Sequence, residues 1–123
     1  MPFVHYLFLG HFERAGDAVR FAKNSDDGAY RPVVRSALED ESIVAALREV
    51  KGAEVENVDY PNDWGVWSEG GYLVCDKYTR NAEVIDFIDR LVRRTRCDMY
   101  DAAAHSDITL REWLESSRCH AKL

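Results

Sequence analysis

GYLVCDKYTRNAEVIDFIDRLVRRTRCDMYDAAA, residues 71–104, is the stretch from which the fold can be read. Tyr72-Leu73-Val74-Cys75 is a short apolar run behind the Gly70-Gly71 pair. β-branched and aromatic residues dominate it, so it is a predicted strand. Asn81 then opens a helix: Val84, Ile85, Ile88, Leu91 and Val92 recur at helical spacing, while Asp86, Arg90 and Arg93 fall away from them. Arg93, Arg94 and Arg96 crowd the last turn, where cations suit the negative end of the helix dipole. Met99 to Ala103 is a second, weaker strand. Strand, helix and strand within about 33 residues resemble a βαβ unit.

Working toward the N-terminus, Phe3 to Leu9 is nearly continuous in apolar character, as a central strand buried on both faces would be, and Gly10 ends it. Phe12, Ala15, Val19 and Ala22 recur at three- and four-residue steps and predict a short helix, which Gly16 weakens. Asn24 to Gly28 is turn chemistry. Pro32 signals the start of a helix to Val50, with a break or new cap near Asp40 and a stop at Gly52. Ala53 to Tyr60 reads as a strand. Val55 and Val58 are three apart, so a bulge near Glu56-Asn57 is needed to put them on one face. Pro61-Asn62-Asp63 is a turn, Gly65 to Ser68 a short strand, and Gly70-Gly71 the turn into the strand at Tyr72, so that Glu54 to Glu69 is expected to be a hairpin. Beyond the quoted stretch, Thr109-Leu110-Arg111-Glu112 is a capping box with Ile108 and Trp113 placed for a hydrophobic staple. It predicts a helix from Leu110 to about Ser116 and a frayed tail from Ser117. The order matches βαββαβ, an α+β ferredoxin-like sandwich with an added C-terminal helix, its Phe3 and Tyr72 strands at the centre.

Composition bounds the rest. The chain has 123 residues, 46% of them hydrophobic and 31% charged, which suits a single α+β domain over 1–123 with one real core. No apolar run approaches the ~20 residues that span a bilayer, and the Phe3–Leu9 run is too short for a signal peptide and has no basic leader. Cys75, Cys97 and Cys119 are an odd set without CxxC spacing, so free thiols in a reducing cytoplasm are expected. A net charge of −6 argues against nucleic acid as the main partner and permits a basic protein partner.

The residues that carry a possible function lie between Gly52 and Gly71, where there is no Lys and no Arg. Glu54, Glu56, Asp59, Asp63 and Glu69 are interleaved with Tyr60, Trp64 and Trp67. Aromatic residues anchor many interfaces, and carboxylates beside them suit a basic partner. The plainer reading has the tryptophans covering the core edge and the acids solvated. Other chemistry is weakly marked. His5, His11, His105 and His120 have no HxxxH spacing, and His105 with Asp107 is half a metal site at most. Cys75 and His105 are a nucleophile and base by type, but Cys75 sits in an apolar strand where a thiol is a core residue. Asp59 and Asp63 could serve acid–base chemistry, but turns collect Asp routinely. Gly70-Gly71 precedes a strand, unlike a phosphate loop. Arg90, Arg93 and Arg94 could touch phosphate, although pairing with Asp86 and Asp89 is the simpler account. No catalytic residue, metal or cofactor is therefore assigned.

In size, acidity and its acidic-aromatic segment the chain resembles the immunity proteins of bacterial polymorphic-toxin systems, a likeness of general form that carries no shared motif. It implies a small cytoplasmic module that binds and neutralises a basic toxin domain. The alternatives are a small hydrolase or lyase on a ferredoxin-like scaffold, and a regulatory domain that holds a small ligand between helices and sheet.

Overall fold

The computed structural model describes the backbone of residues 5–121 and the side chains of residues 5–117. Phe3 and Val4, and the Cys119 and His120 side chains, lie outside the described residues. In chain order the elements are β1 (Tyr6–Phe12), β2 (Arg14–Ala15), β3 (Ala18–Val19), β4 (Phe21–Lys23), β5 (Tyr30–Pro32), β6 (Val34–Ser36) and α1 (Asp40–Lys51). A 3-10 turn (Asn62–Trp64) follows, then β7 (Trp67–Glu69), β8 (Tyr72–Asp76), α2 (Ala82–Thr95), β9 (Asp98–Asp101), β10 (Ser106–Asp107) and α3 (Leu110–Ala121).

The quoted stretch folds as its pattern predicts. α2 buries Val84, Ile85, Ile88, Leu91 and Val92, and also Phe87. The Asn81 side chain accepts the Glu83 N–H at 2.9 Å, and Arg96 in a left-handed conformation ends the helix. β8 and β9 both run antiparallel to β1 and flank it, so they are parallel to each other with β1 between them. The main sheet has the order β10-β9-β1-β8-β7, and β6 pairs with the end of β1. β1 does not stop at Gly10. A Cβ at Gly10 would lie 2.8 Å from the Tyr72 Cβ on β8. Gly10 is thus required inside the strand rather than terminating it. Gly71, at φ 94, makes the β7–β8 turn, and its carbonyl accepts the Leu38 N–H at 2.9 Å.

Alternate residues of the sheet feed two cores. Leu7, Leu9, Leu73, Cys75 and Met99 face the helices, where Ile43, Leu47, Phe87, Leu91 and Trp113 close over them. Phe8, Phe12, Tyr72, Val74 and Tyr100 face the other way. That second face explains the main departures from the sequence reading. No helix forms over 12–22. The chain instead makes the β2–β3 and β4–β5 hairpins, which lay Val19 and Phe21 against the second face. Gly16 at φ 67 turns the first hairpin, and the need to cover apolar sheet surface outweighs a weak helical spacing. Pro32 is buried at the end of β5 rather than starting a helix, and Val34–Ser36 is a strand; α1 begins only at Asp40, with Glu39 as its N-cap. Ala53 to Tyr60 forms no strand.

The capping box is present: the Glu112 N–H reaches the Thr109 hydroxyl and the Thr109 N–H reaches the Glu112 carboxylate, each at 3.1 Å. α3 runs past the predicted end at Ser116 to Ala121, and Ser117 is buried, so the backbone is helical where fraying was expected; residues 122–123 of that tail lie outside the described residues. Trp113 holds this helix to the sheet end by donating from Nε1 to the Lys77 carbonyl at 3.0 Å. Below it, the Lys77 ammonium meets the buried Asp101 carboxylate at 2.5 Å, and Asp101 also accepts the Ala103 and Ala104 N–H groups. Among the described residues no helix is long and apolar enough to cross a membrane.

Candidate functional site

The acidic segment begins where α1 stops. Gly52, at φ 115, donates its N–H to the Arg48 carbonyl and turns the chain back along the helix. The Arg48 guanidinium then holds the Val55 carbonyl at 2.7 Å. Val55, Val58 and Tyr60 pack half-buried against the helix-side core. The three-residue spacing of the valines therefore reflects irregular backbone pinned by side chains, where a bulged strand was expected. Glu54 to Glu69 is accordingly not a hairpin. It is an irregular crossing, a 3-10 turn and the edge strand β7.

The structure separates the aromatic residues from the acids. Trp64 is only 3% exposed and packs 5.4 Å from Phe87, ring centre to ring centre. It is a core residue and presents no surface to a partner, which corrects its assignment as an interface anchor. Tyr60 is half-buried, lies edge-on to the same Phe87, and shares a 3.0 Å hydrogen bond with the Ser68 hydroxyl. Trp67 belongs to the opposite face of the sheet: it packs edge-on against Tyr6 and donates from Nε1 to Glu69 at 3.0 Å. Glu54, Glu56, Asp59 and Asp63 are exposed.

Among the described residues none of these four carboxylates has an ion-pair partner within 4.0 Å. Glu56 is joined by two acids that the sequence reading left out. Asp40 and Glu41, in the first turn of α1, line with Glu56 a surface depression of about 360 Å³ whose apolar side is Val44 and Val58. Arg48 sits there too, occupied by the Val55 carbonyl. First-turn acids are the usual signature of a helix start. Their meeting with Glu56 depends on how the irregular crossing folds back, and no local pattern encodes that.

The other candidate chemistries are placed as follows. Cys75 is fully buried, and burial with Asp76 nearby pushes its thiol up to about 12; burial likewise raises Cys97 to about 11. Reactive thiols need the opposite. Cys75 faces the helices, whereas His105 lines a cleft on the other sheet face, so the two are not brought together. No group of three His, Cys, Asp or Glu among the described residues is arranged to hold a metal ion. The α2 arginines are paired: Arg90 with Asp86 and Glu49, Arg93 with Asp89, and Arg94 with Glu49. In comparison with known proteins, no family model matches the chain, and neither a curated protein nor a solved structure is significantly similar to it.

Proposed function

We propose that this chain is a small cytoplasmic binding module that engages a basic protein through the surface formed by Glu54, Glu56, Asp59 and Asp63 with Asp40 and Glu41. The observation that carries this reading is that these exposed acids have no ion-pair partner among the described residues, whereas Glu13, Asp27, Glu49, Glu83, Asp86 and Asp89 are each paired with a cation. Unpaired charge of one sign steers an oppositely charged partner and raises its association rate. Val44 and Val58 beside Glu56 offer apolar contact area. The architecture proposed with it is the ferredoxin-like βαββαβ sandwich. The antiparallel order β9-β1-β8-β7 supports that, with α1 preceding β7 and α2 joining β8 to β9. The hairpins between β1 and α1, the β10 edge and α3 are then additions. Neutralising a toxin domain, as immunity proteins do, is the specific form of this reading. Free, buried Cys75 and Cys97 fit a reducing compartment.

The test is capture from native lysate with the purified chain, identification of the retained protein, and binding kinetics at two salt concentrations. A partner with a basic face is expected, with an association rate that falls steeply from about 50 to about 500 mM salt. A captured partner that is acidic, or a rate indifferent to salt, contradicts the reading.

A further inference from the structure

The sheet face away from the helices is roofed by the β4–β5 hairpin, and the roof does not close. Between them lies a cleft of about 410 Å³, a volume typical of small-molecule sites. Its floor is Phe8 and Tyr100, cross-strand partners on β1 and β9 whose rings are parallel within 10° at 6.4 Å. Phe21 leans on Tyr100 at 5.2 Å, and Tyr30, 65% exposed, lines the cleft from the hairpin. Gly28 and Ala29 give that wall little bulk. Across from it, His105 lines the cleft from the β9–β10 turn, where it holds φ 53, a conformation uncommon for a residue with a side chain. Elsewhere on this face Val19, Val34 and Trp67 fill the space.

We infer that this cleft binds a small, neutral, planar aromatic molecule of one or two fused rings. Aromatic walls favour a flat ring that stacks or meets them edge-on. Among the described residues no Lys, Arg, Asp or Glu lines the cleft itself, Lys23 standing beside Gly28 at its rim, while His105 supplies one hydrogen-bonding group at its side. Burial, and then the nearby Asp107 and Asp101, hold the Tyr100 hydroxyl protonated above its ordinary range. This site is on the opposite sheet face from Cys75 and the helices and is independent of the acidic surface.

The experiment is protein-observed NMR on the full isotope-labelled chain, titrated with indole and separately with indole-3-acetate. Indole should shift the amides of Phe21, Ala29, Tyr30, Tyr100, Ala102 and His105 together and saturate with a Kd of about 0.1–1 mM. The acetate should bind about tenfold more weakly or worse. Ala29→Trp, which fills the cleft, should weaken indole about tenfold. Tyr30→Ala removes only an exposed ring, keeps the fold, and should weaken indole several-fold. The inference is overturned by non-saturating or scattered shifts, by equal affinity for the anion, or by folded variants that bind indole as wild type does.

Discussion

α2 and the crossing from Glu54 to Asp63 are both rich in carboxylates, and they treat them oppositely. On α2, Asp86 and Asp89 each lie one turn before an arginine, at 3.0 and 2.6 Å, and Glu49 of α1 takes both Arg90 and Arg94. Hydrogen bonds from Arg90 first, and then from Arg94, draw the Glu49 carboxyl below its ordinary range. On the crossing, Glu54, Glu56, Asp59 and Asp63 are exposed and have no ion-pair partner among the described residues. Net charge alone does not distinguish the two regions. Local pairing does: arginines offset the acids of α2, and no cation within 4.0 Å offsets the four of the crossing.

If packing alone holds the crossing, its tryptophan must matter more than any of its charges. Trp64→Ala should destabilise the fold by about 3–5 kcal/mol in chemical denaturation. A loss below ~1 kcal/mol would mean that the crossing is held by its polar groups after all.

The next effect asks where charge pairing does stabilise. Lys77→Met leaves the buried Asp101 carboxylate without its cation and should cost about 3 kcal/mol. Asp101 raises the Lys77 pKa, so this contribution is present below about pH 10.4 and is lost as pH rises through the raised value. Stability measured from about pH 9 to about pH 12 should fall in wild type by more than in the variant. Parallel curves would place the pair's contribution elsewhere.

Smaller still is the surface network. Glu49→Gln should cost no more than ~1 kcal/mol, because exposed pairs are screened. A larger loss would make the α1–α2 contact electrostatic rather than a matter of apolar burial.

Most of α2 was legible because helical periodicity and i, i+4 charge spacing are local; Asp86 with Arg90 and Asp89 with Arg93 follow from the sequence alone. Glu49 with Arg90 and Arg94 does not, since it depends on two helices meeting. The acidic segment was legible as composition but not as geometry. Trp64 and Trp67 are three apart, yet the 3-10 turn and Gly65 at φ 64 send them to opposite faces of the sheet. The hairpins over 14–32 escape the sequence pattern because short strands of two or three residues carry almost no periodicity. Their form is imposed by the aromatic face they cover.

The most direct measurement neutralises the two regions separately and reads the association rate with the captured partner. One variant carries Glu54→Gln, Glu56→Gln, Asp59→Asn and Asp63→Asn; the other carries Asp86→Asn and Asp89→Asn. Both should keep wild-type stability within about 1 kcal/mol. The first should associate about tenfold more slowly at low salt and lose most of its salt dependence, while the second should associate as wild type does. Equal rates for wild type and the first variant, or a larger loss in the second, would contradict the assignment of the binding surface to the crossing.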